Sequence, residues 1–299
     1  MTRDSRREWC VVDLLKTTAE YFALKEVDEP RLGAEMLLSH LFGENRLWLY
    51  LNHNRPVSDS ELAVFREFCR QRLDGRPVQY ITGEQYFYGK PFMVDERVLI
   101  PRPETELLVE HAAGLLSAGR ELNPEGEYRL LDIGTGSGCI AVTLASLLPF
   151  LQLAAIDRSA PALDVARANA MRHGMLSRID FLEADLFDPE LASRCAGPFD
   201  MIVSNPPYIP ETEWEELQPE VRRFEPRDAL VTPGGTASYL AICRASSELL
   251  KPEGLLCLEI HADAAMQVCA LMESEKFRDI SVLKDYAGFD RIVSGRLGA

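Results

Sequence analysis

The sequence predicts an α/β protein, built on a seven-stranded, mostly parallel sheet and preceded by a small helical bundle. Seven short apolar runs between Tyr128 and Gly295 alternate with helical patterns, as expected for parallel strands joined by crossover helices. The last two runs are too close for a crossover helix, so one C-terminal strand should be antiparallel. The first ninety residues carry helical periodicity instead.

Three segments follow from these patterns: a helical bundle over residues 1–77, a hairpin linker over 78–100 and the α/β domain over 101–299. In the bundle, an apolar stripe predicts a helix over residues 8–25. Asp28, followed by Pro30, can cap a second helix. Ser58 and Glu61 form a capping-box pattern for a third helix, which should end near Leu73.

The hairpin is predicted around Gly89-Lys90, which lies between the runs Gln85–Tyr88 and Pro91–Val94. A helix over Leu107–Leu116 should follow, with Pro103 in its first turn. Beyond it, the predicted strands are Tyr128–Ile133, Leu151–Ile156, Ile179–Glu183, Met201–Ser204, Leu255–Ile260, Asp279–Lys284 and Arg291–Gly295. The predicted helices between them are Gly138–Leu148, Ala160–His173, Ser238–Leu250 and Ala264–Glu275.

Composition and charge exclude several classes of protein. The chain has 299 residues, of which 46% are hydrophobic and 26% charged, with a net charge of −15. This balance is that of a globular protein rather than a disordered one, and no apolar run is long enough to span a membrane. Residues 91–299 hold 19 basic and 33 acidic side chains. Such an acidic body argues against direct nucleic-acid binding and favours a basic protein partner.

Cysteine and histidine spacing indicates the compartment and the metal content. The seven cysteines include no Cys-x-x-Cys pair, and the N-terminus MTRDSRREWC lacks the apolar core of a secretory signal. We therefore expect a cytoplasmic protein whose thiols are small core residues. The five histidines show no ligand spacing, so no metal site is expected.

A glycine-rich turn carries the first chemical signal. Leu130-Leu-Asp-Ile-Gly-Thr-Gly-Ser-Gly138 is a buried strand that ends in a tight turn and opens a helix. The three glycines permit the turn and the close approach of a ligand, and the helix N-terminus suits an anionic group. Asp157 ends the next strand, where a carboxylate can accept hydrogen bonds from both ribose hydroxyls. Together they predict an adenosine-containing cofactor without specifying which one.

The second signal is Ser204-Asn-Pro-Pro-Tyr208, which directly follows the apolar run Met201–Val203. The two prolines fix the backbone and leave carbonyl acceptors exposed, and the Asn205 side chain offers another acceptor. Tyr208 offers a flat face for stacking. This rigid cradle suits a planar –NH₂ group, whose two hydrogens it can accept.

These two motifs resemble those of the class I, Rossmann-like S-adenosylmethionine-dependent methyltransferases that modify amino nitrogens. Four further segments are similar to the HemK/PrmC family, which methylates the side-chain nitrogen (N5) of the glutamine in the Gly-Gly-Gln motif of peptide chain release factors. They are Pro77–Gly83, Ile100–Glu106, Phe224–Leu230 and Asp285–Arg291. The resemblance covers nearly the whole chain.

The resemblance implies roles for individual residues. Gly134, Thr135, Gly136, Ser137 and Gly138 would line the methionine end of the cofactor, Asp157 would hold the ribose, and Asp185 and Leu186 would border the adenine. The family can carry an aromatic residue where Leu186 stands. Asn205, Pro206, Pro207 and Tyr208 would bind the substrate glutamine, with Asn205, Pro206 and Tyr208 catalytic and Asn205 also near the cofactor. The segment 102–106 receives no chemical step.

Three alternatives use the same motifs. A DNA adenine N6-methyltransferase would place an exocyclic –NH₂ in the cradle and stack the flipped base on Tyr208, but the acidic charge opposes it. A nicotinamide-dependent dehydrogenase would use the glycine turn and leave Asn205–Tyr208 unexplained. A non-catalytic binding module would need neither motif. We expect a monomeric enzyme with a protein substrate that the N-terminal bundle recognises.

Overall fold

A computed structural model describes residues 8–298. The N-terminal segment used to argue against a secretory signal lies largely outside these residues. The α-helices are α1 (Val11–Leu24), α2 (Pro30–Phe42), α3 (Arg46–Leu51), α4 (Asp59–Leu73), α5 (Val78–Thr82), α6 (Thr105–Leu122), α7 (Cys139–Leu147), α8 (Ala160–Arg172), α9 (Leu191–Arg194), α10 (Pro219–Phe224), α11 (Ala237–Leu249) and α12 (Ala265–Ser274). The strands are β1 (Glu84–Phe87), β2 (Lys90–Met93), β3 (Tyr128–Ile133), β4 (Leu151–Asp157), β5 (Ile179–Glu183), β6 (Phe199–Ser204), β7 (Leu250–Glu259), β8 (Phe277–Lys284) and β9 (Asp290–Leu297).

The chain forms two compact units. The first runs to Glu84 and also includes Gln218–Phe224, while the second comprises Gln85–Leu217 and the chain from Glu225 onward. Arg72 of α4 makes a salt bridge to Glu220 of α10, which lies far away in sequence but belongs to the same unit.

The first unit is a bundle of short helices around an apolar core that includes Phe22, Leu37 and Phe65. The capping box at Ser58 and Glu61 is confirmed. The prediction that Asp28 caps α2 is wrong, because Glu29 occupies the N-cap position and no side chain caps the helix. Pro30 stands in the first turn as predicted, which is where a missing N–H costs nothing.

A buried glutamate stands out in this bundle. Glu35 of α2 is only 1% exposed and accepts hydrogen bonds from Arg31 (Nε, 3.1 Å), Arg46 (Nε, 2.8 Å) and the Tyr50 hydroxyl. Burial alone would raise its pKa, but the bonds from Tyr50 and the two arginines outweigh burial and lower it. The ionised carboxylate therefore ties α2 to α3.

The second unit confirms the predicted fold class. Its seven strands run in the order β5-β4-β3-β6-β7-β9-β8, in which β9 is antiparallel to both β7 and β8 and the other neighbouring pairs are parallel. Apolar residues fill both sides of the sheet. Four of the seven free cysteines are buried, consistent with their expected use as core residues.

The helix predicted from Leu107 begins earlier, at Thr105, and extends to Leu122. Pro103 therefore precedes this helix, α6, and the prediction that it lies in the first turn is wrong. The hairpin β1–β2 is present. The buried Asn169 of α8 holds it in place, since its side chain accepts from the Met93 N–H and donates to the carbonyls of Met93 and Ser137.

The sheet order reverses direction at β3, because the chain goes from β3 outward through β4 and β5 and then returns to β6 on the other side. Open α/β sheets bind ligands at the carboxyl ends of the strands beside such a reversal. Ile133 pairs with Ser204 at these ends. The glycine turn after β3 and the tetrapeptide after β6 therefore start side by side.

Candidate active site

The glycine turn after β3 has the backbone that its sequence requires. Gly134, Gly136 and Gly138 all have positive φ, at +73°, +53° and +79°. A Cβ on Gly138 would approach the Cβ of Ala166 in α8 to 3.1 Å, whereas one on Gly134 would meet open space. Gly138 thus serves helix packing and Gly134 leaves room for a ligand.

Two carboxylates fix this turn. Asp157 at the end of β4 accepts from the Gly136 N–H through Oδ2 and from the Ser159 N–H through Oδ1, both at 2.9 Å. Asp132 is fully buried and accepts from the Thr135 hydroxyl at 2.7 Å. Burial raises the pKa of both, that of Asp132 to about 7. Each Asp157 oxygen retains a lone pair with which it can accept from a ligand hydroxyl.

A cavity of about 460 Å³ opens at this edge of the sheet. Its walls come from the glycine turn, the ends of β4 and β6, the loop after β5 and the segment 226–233. Predicted site residues that line it are Gly134, Gly136, Asp157, Asp185, Leu186, Asn205, Pro206 and Pro207. The structure therefore brings the predicted cofactor and substrate residues together around one space.

Four predicted residues do not line the cavity. Thr135, Ser137 and Gly138 are buried behind the turn, where Thr135 holds Asp132 and the Ser137 carbonyl accepts from Asn169. Tyr208 lies beside the cavity, with its ring 5.9 Å from that of His261. These residues shape the walls rather than form the surface of the cavity.

The loop after β5 contributes an aromatic residue to the cavity that the sequence analysis missed. Leu186 packs against the core, whereas the neighbouring Phe187 is 54% exposed and lines the cavity. The Asp185 carboxylate accepts from the Phe187 N–H at 2.9 Å and fixes this loop. The sequence signal that could have indicated it is the aromatic residue Phe187 directly after Asp185-Leu186.

The Asn205 side chain of the tetrapeptide is held by residues from other parts of the chain. Asn205 Nδ2 donates to the Thr105 hydroxyl at 3.0 Å, and that hydroxyl donates to Glu259 Oε2 at 2.7 Å. Thr105 and Glu259 are 2% and 1% exposed. Sequence reasoning missed both, although a single glutamate that ends the apolar run Leu255–Leu258 does indicate a buried carboxyl.

Electrostatics sets Glu259 apart. Burial raises its pKa to about 7, and the negative charge of Glu104 adds to this rise. The rise is opposed by the Thr105 hydroxyl, by Arg291 and, least of all, by the Tyr208 hydroxyl. Burial, together with the nearby Glu259, raises the pKa of Tyr208 above its ordinary value.

A salt bridge joins two of the family-like segments. Arg102 donates to Glu225 Oε1 at 2.6 Å, and the Ile100 N–H donates to Oε2 at 3.2 Å. Glu225 is 5% exposed and directly precedes Pro226–Ala229, which lines the cavity. Ile100 and Arg102 thus support this wall of the cavity through Glu225.

Within residues 8–298, no group of three or more His, Cys, Asp or Glu could hold a metal ion. No helix in this range is both long and apolar enough to cross a membrane.

The chain matches known proteins over nearly its full length. It is 56% identical to the release factor glutamine methyltransferase of Chlorobaculum tepidum, over 96% of this chain and 97% of that protein. The chain belongs to the release factor glutamine methyltransferase family. Identity to the Geobacter sulfurreducens member is 41%, over 97% of this chain and 98% of that protein.

Two domain families match parts of this methyltransferase: the PrmC N-terminal domain over residues 13–83 and the methyltransferase small domain over 108–220. Among solved structures, the release factor-specific protein-(glutamine-N5) methyltransferase of Alicyclobacillus acidocaldarius is 28% identical. That match covers 67% of this chain and 95% of the other, with a TM-score of 0.41.

Proposed function

We propose that this enzyme transfers a methyl group from S-adenosyl-L-methionine to the side-chain nitrogen (N5) of the glutamine in the Gly-Gly-Gln motif of peptide chain release factors. The observation that carries the proposal is the single cavity with two different walls. One wall presents the glycine turn and Asp157, and the other presents Asn205, Pro206 and Pro207.

The residues of the first wall fit a nucleoside cofactor. Asp157 has lone pairs for the ribose hydroxyls, Leu186 and Phe187 offer apolar and aromatic contact for adenine, and Gly134 leaves backbone approachable. When bound, S-adenosylmethionine supplies the methyl group from its sulfonium and becomes S-adenosylhomocysteine. The carboxylate of Asp157 also suits the cationic character of such a cofactor.

The second wall acts on the substrate nitrogen. An amide nitrogen is a poor nucleophile, since its lone pair is delocalised into the carbonyl. Asn205 Oδ1 and the Pro206 carbonyl each accept one N–H of the glutamine amide, which holds the nitrogen in place and turns its lone pair outward. Tyr208, whose pKa burial raises, follows Pro207 and supports this wall rather than forming its surface.

Positioning supplies most of the acceleration in this mechanism. Good alignment of two reacting groups can lower a barrier by about 7–11 kcal/mol. The nitrogen gains a methyl group and loses one proton, which passes to water after the transfer. The other N–H stays bound to its acceptor in the cradle.

The partner and location belong to the same proposal. The N-terminal helical bundle (residues 1–77, with the linker 78–100) recognises the protein substrate, since one glutamine side chain offers little discrimination by itself. The acidic net charge of −15 favours a basic partner and disfavours nucleic acid. We propose a monomer that works in the cytoplasm, where release factors act in translation termination.

Mass spectrometry tests this function directly. The enzyme is incubated with a purified release factor and methyl-labelled S-adenosylmethionine, and the modified residue is mapped. We expect one methyl group on the glutamine of Gly-Gly-Gln. A release factor with this glutamine replaced by alanine is the matched control and should take up no label. Label on duplex DNA, with an unmodified release factor, would instead support the adenine methyltransferase alternative.

A further inference from the structure

Three buried or half-buried side chains form a line behind the tetrapeptide. Glu259 Oε2 lies 2.7 Å from the Thr105 hydroxyl, which lies 3.0 Å from Asn205 Nδ2. The three residues come from the end of β7, the start of α6 and the residue after β6. Ser204 pairs with Leu258, so Asn205, the residue after β6, lies beside Glu259, the last residue of β7.

Hydrogen-bond chemistry fixes the direction of this line. In its ionised form Glu259 only accepts, so the single proton of the Thr105 hydroxyl then goes to Glu259. The same hydroxyl can then only accept from Asn205, which turns Nδ2 of that carboxamide toward Thr105. The Oδ1 atom therefore points away from Thr105.

We propose that Thr105 and Glu259 are positioning residues, which lock the Asn205 carboxamide in the one orientation that presents Oδ1 to the substrate nitrogen. This inference rests on the proposed function of Asn205. It also assigns a role to Thr105 within the family-like segment 100–106, which the sequence analysis left without a chemical step.

The lock matters for catalysis because the opposite orientation is unproductive. A carboxamide turned by 180° would present Nδ2, a donor, to the –NH₂ of the substrate, which is also a donor. The substrate would lose one of its two acceptors, and its nitrogen would no longer be held. The cofactor wall, which contains Asp157 and the glycine turn, would be unaffected.

Threonine substitutions test the lock. Thr105→Val keeps the shape and removes the hydroxyl, while Thr105→Ser keeps the hydroxyl. Thr143→Val is the matched control, because Thr143 of α7 is fully buried and its hydroxyl has no hydrogen-bond partner in the described part of the chain. The measurements are kcat on the release factor, the Kd of S-adenosylmethionine by calorimetry, and Tm.

We expect Thr105→Val to lower kcat by about 10- to 100-fold with the cofactor Kd unchanged. Thr105→Ser and Thr143→Val should stay within about threefold of wild type. The proposal is overturned if Thr105→Val retains wild-type kcat, or if Thr105→Ser loses as much as Thr105→Val. Loss of cofactor affinity in parallel with kcat would also overturn it, since that pattern indicates a general structural role.

A combination of variants tests whether Glu259 acts through Thr105. Glu259→Gln should lower kcat by about three- to tenfold, because a neutral amide no longer dictates where the Thr105 proton goes. In the Thr105→Val background the same change should have no further effect. A full additional loss of kcat would refute the idea that Glu259 acts through Thr105.

Failure of wild-type enzyme to methylate a release factor, with cofactor binding intact, would instead overturn the proposed function on which this inference rests.

Discussion

Each of the two units contains a glutamate that is only 1% exposed, and the surroundings of these two glutamates shift the pKa in opposite directions. Glu35 in the helical unit is surrounded by Arg31, Arg46 and Tyr50, whose hydrogen bonds lower its pKa against the effect of burial. Glu259 in the catalytic unit is hydrogen-bonded to the Thr105 hydroxyl, and burial raises its pKa to about 7. The first is an ionised anchor for helices, whereas the second costs stability and directs a catalytic side chain.

The largest expected effect is on the free energy of unfolding of Glu259→Gln relative to wild type, measured as a function of pH. A glutamate whose folded-state pKa lies above its ordinary 4.5 contributes stability below about pH 4.5 and loses it as the pH rises to about 7. The variant does not titrate, so it should gain up to about 3 kcal/mol relative to wild type between pH 4 and pH 8. Urea denaturation at both pH values measures this difference. A difference in the free energy of unfolding that is the same at both pH values would show that the pKa of Glu259 is not raised.

Glu35→Gln should show the opposite sign and a smaller effect. Since the pKa of Glu35 is lowered, its contribution is present at neutral pH and is lost as the pH falls through the acidic range. We expect a loss of about 2 kcal/mol at pH 7, because two arginines lose their anion but remain partly solvated. Denaturation of the variant and wild type at pH 7 and pH 4 should show this difference shrinking at the lower pH.

A pair of tyrosine variants gives the smallest effects. The Tyr50 hydroxyl donates to Glu35, so Tyr50→Phe should cost about 1 kcal/mol of stability. The Tyr208 hydroxyl has only a minor influence on the pKa of Glu259, so Tyr208→Phe should cost less than about 0.5 kcal/mol. Equal losses in thermal denaturation of the two variants would contradict the contrast between the two glutamates.

Local patterns predicted the fold and much of the site. The alternation of strands and helices, the turn ending at Gly138 and the tetrapeptide at Asn205 are each encoded within a few neighbouring residues. Their meeting around one cavity followed from the rule that ligands bind at the carboxyl ends of parallel strands. Asp157 was identifiable for the same reason, because its distance from the glycine turn is set by one strand and one helix.

The remaining features depend on contacts that no local pattern contains. Thr105 and Glu259 are 154 residues apart, and only the sheet register brings the second beside Asn205. Residues 218–224 pack with the first unit through Arg72, which their own sequence does not indicate. Phe187 lines the cavity together with Leu186, and the hydrogen bond from the Phe187 N–H to Asp185 that fixes this loop is not visible in a sequence pattern.

Asn205→Ala tests the central claim most directly, because it removes the acceptor that the cradle is built to present. The measurement is kcat on a release factor together with the Kd of S-adenosylmethionine, on the same preparation. We predict a fall in kcat of at least about 100-fold with cofactor affinity largely kept. Unchanged turnover, or a loss explained entirely by weaker cofactor binding, would contradict the account.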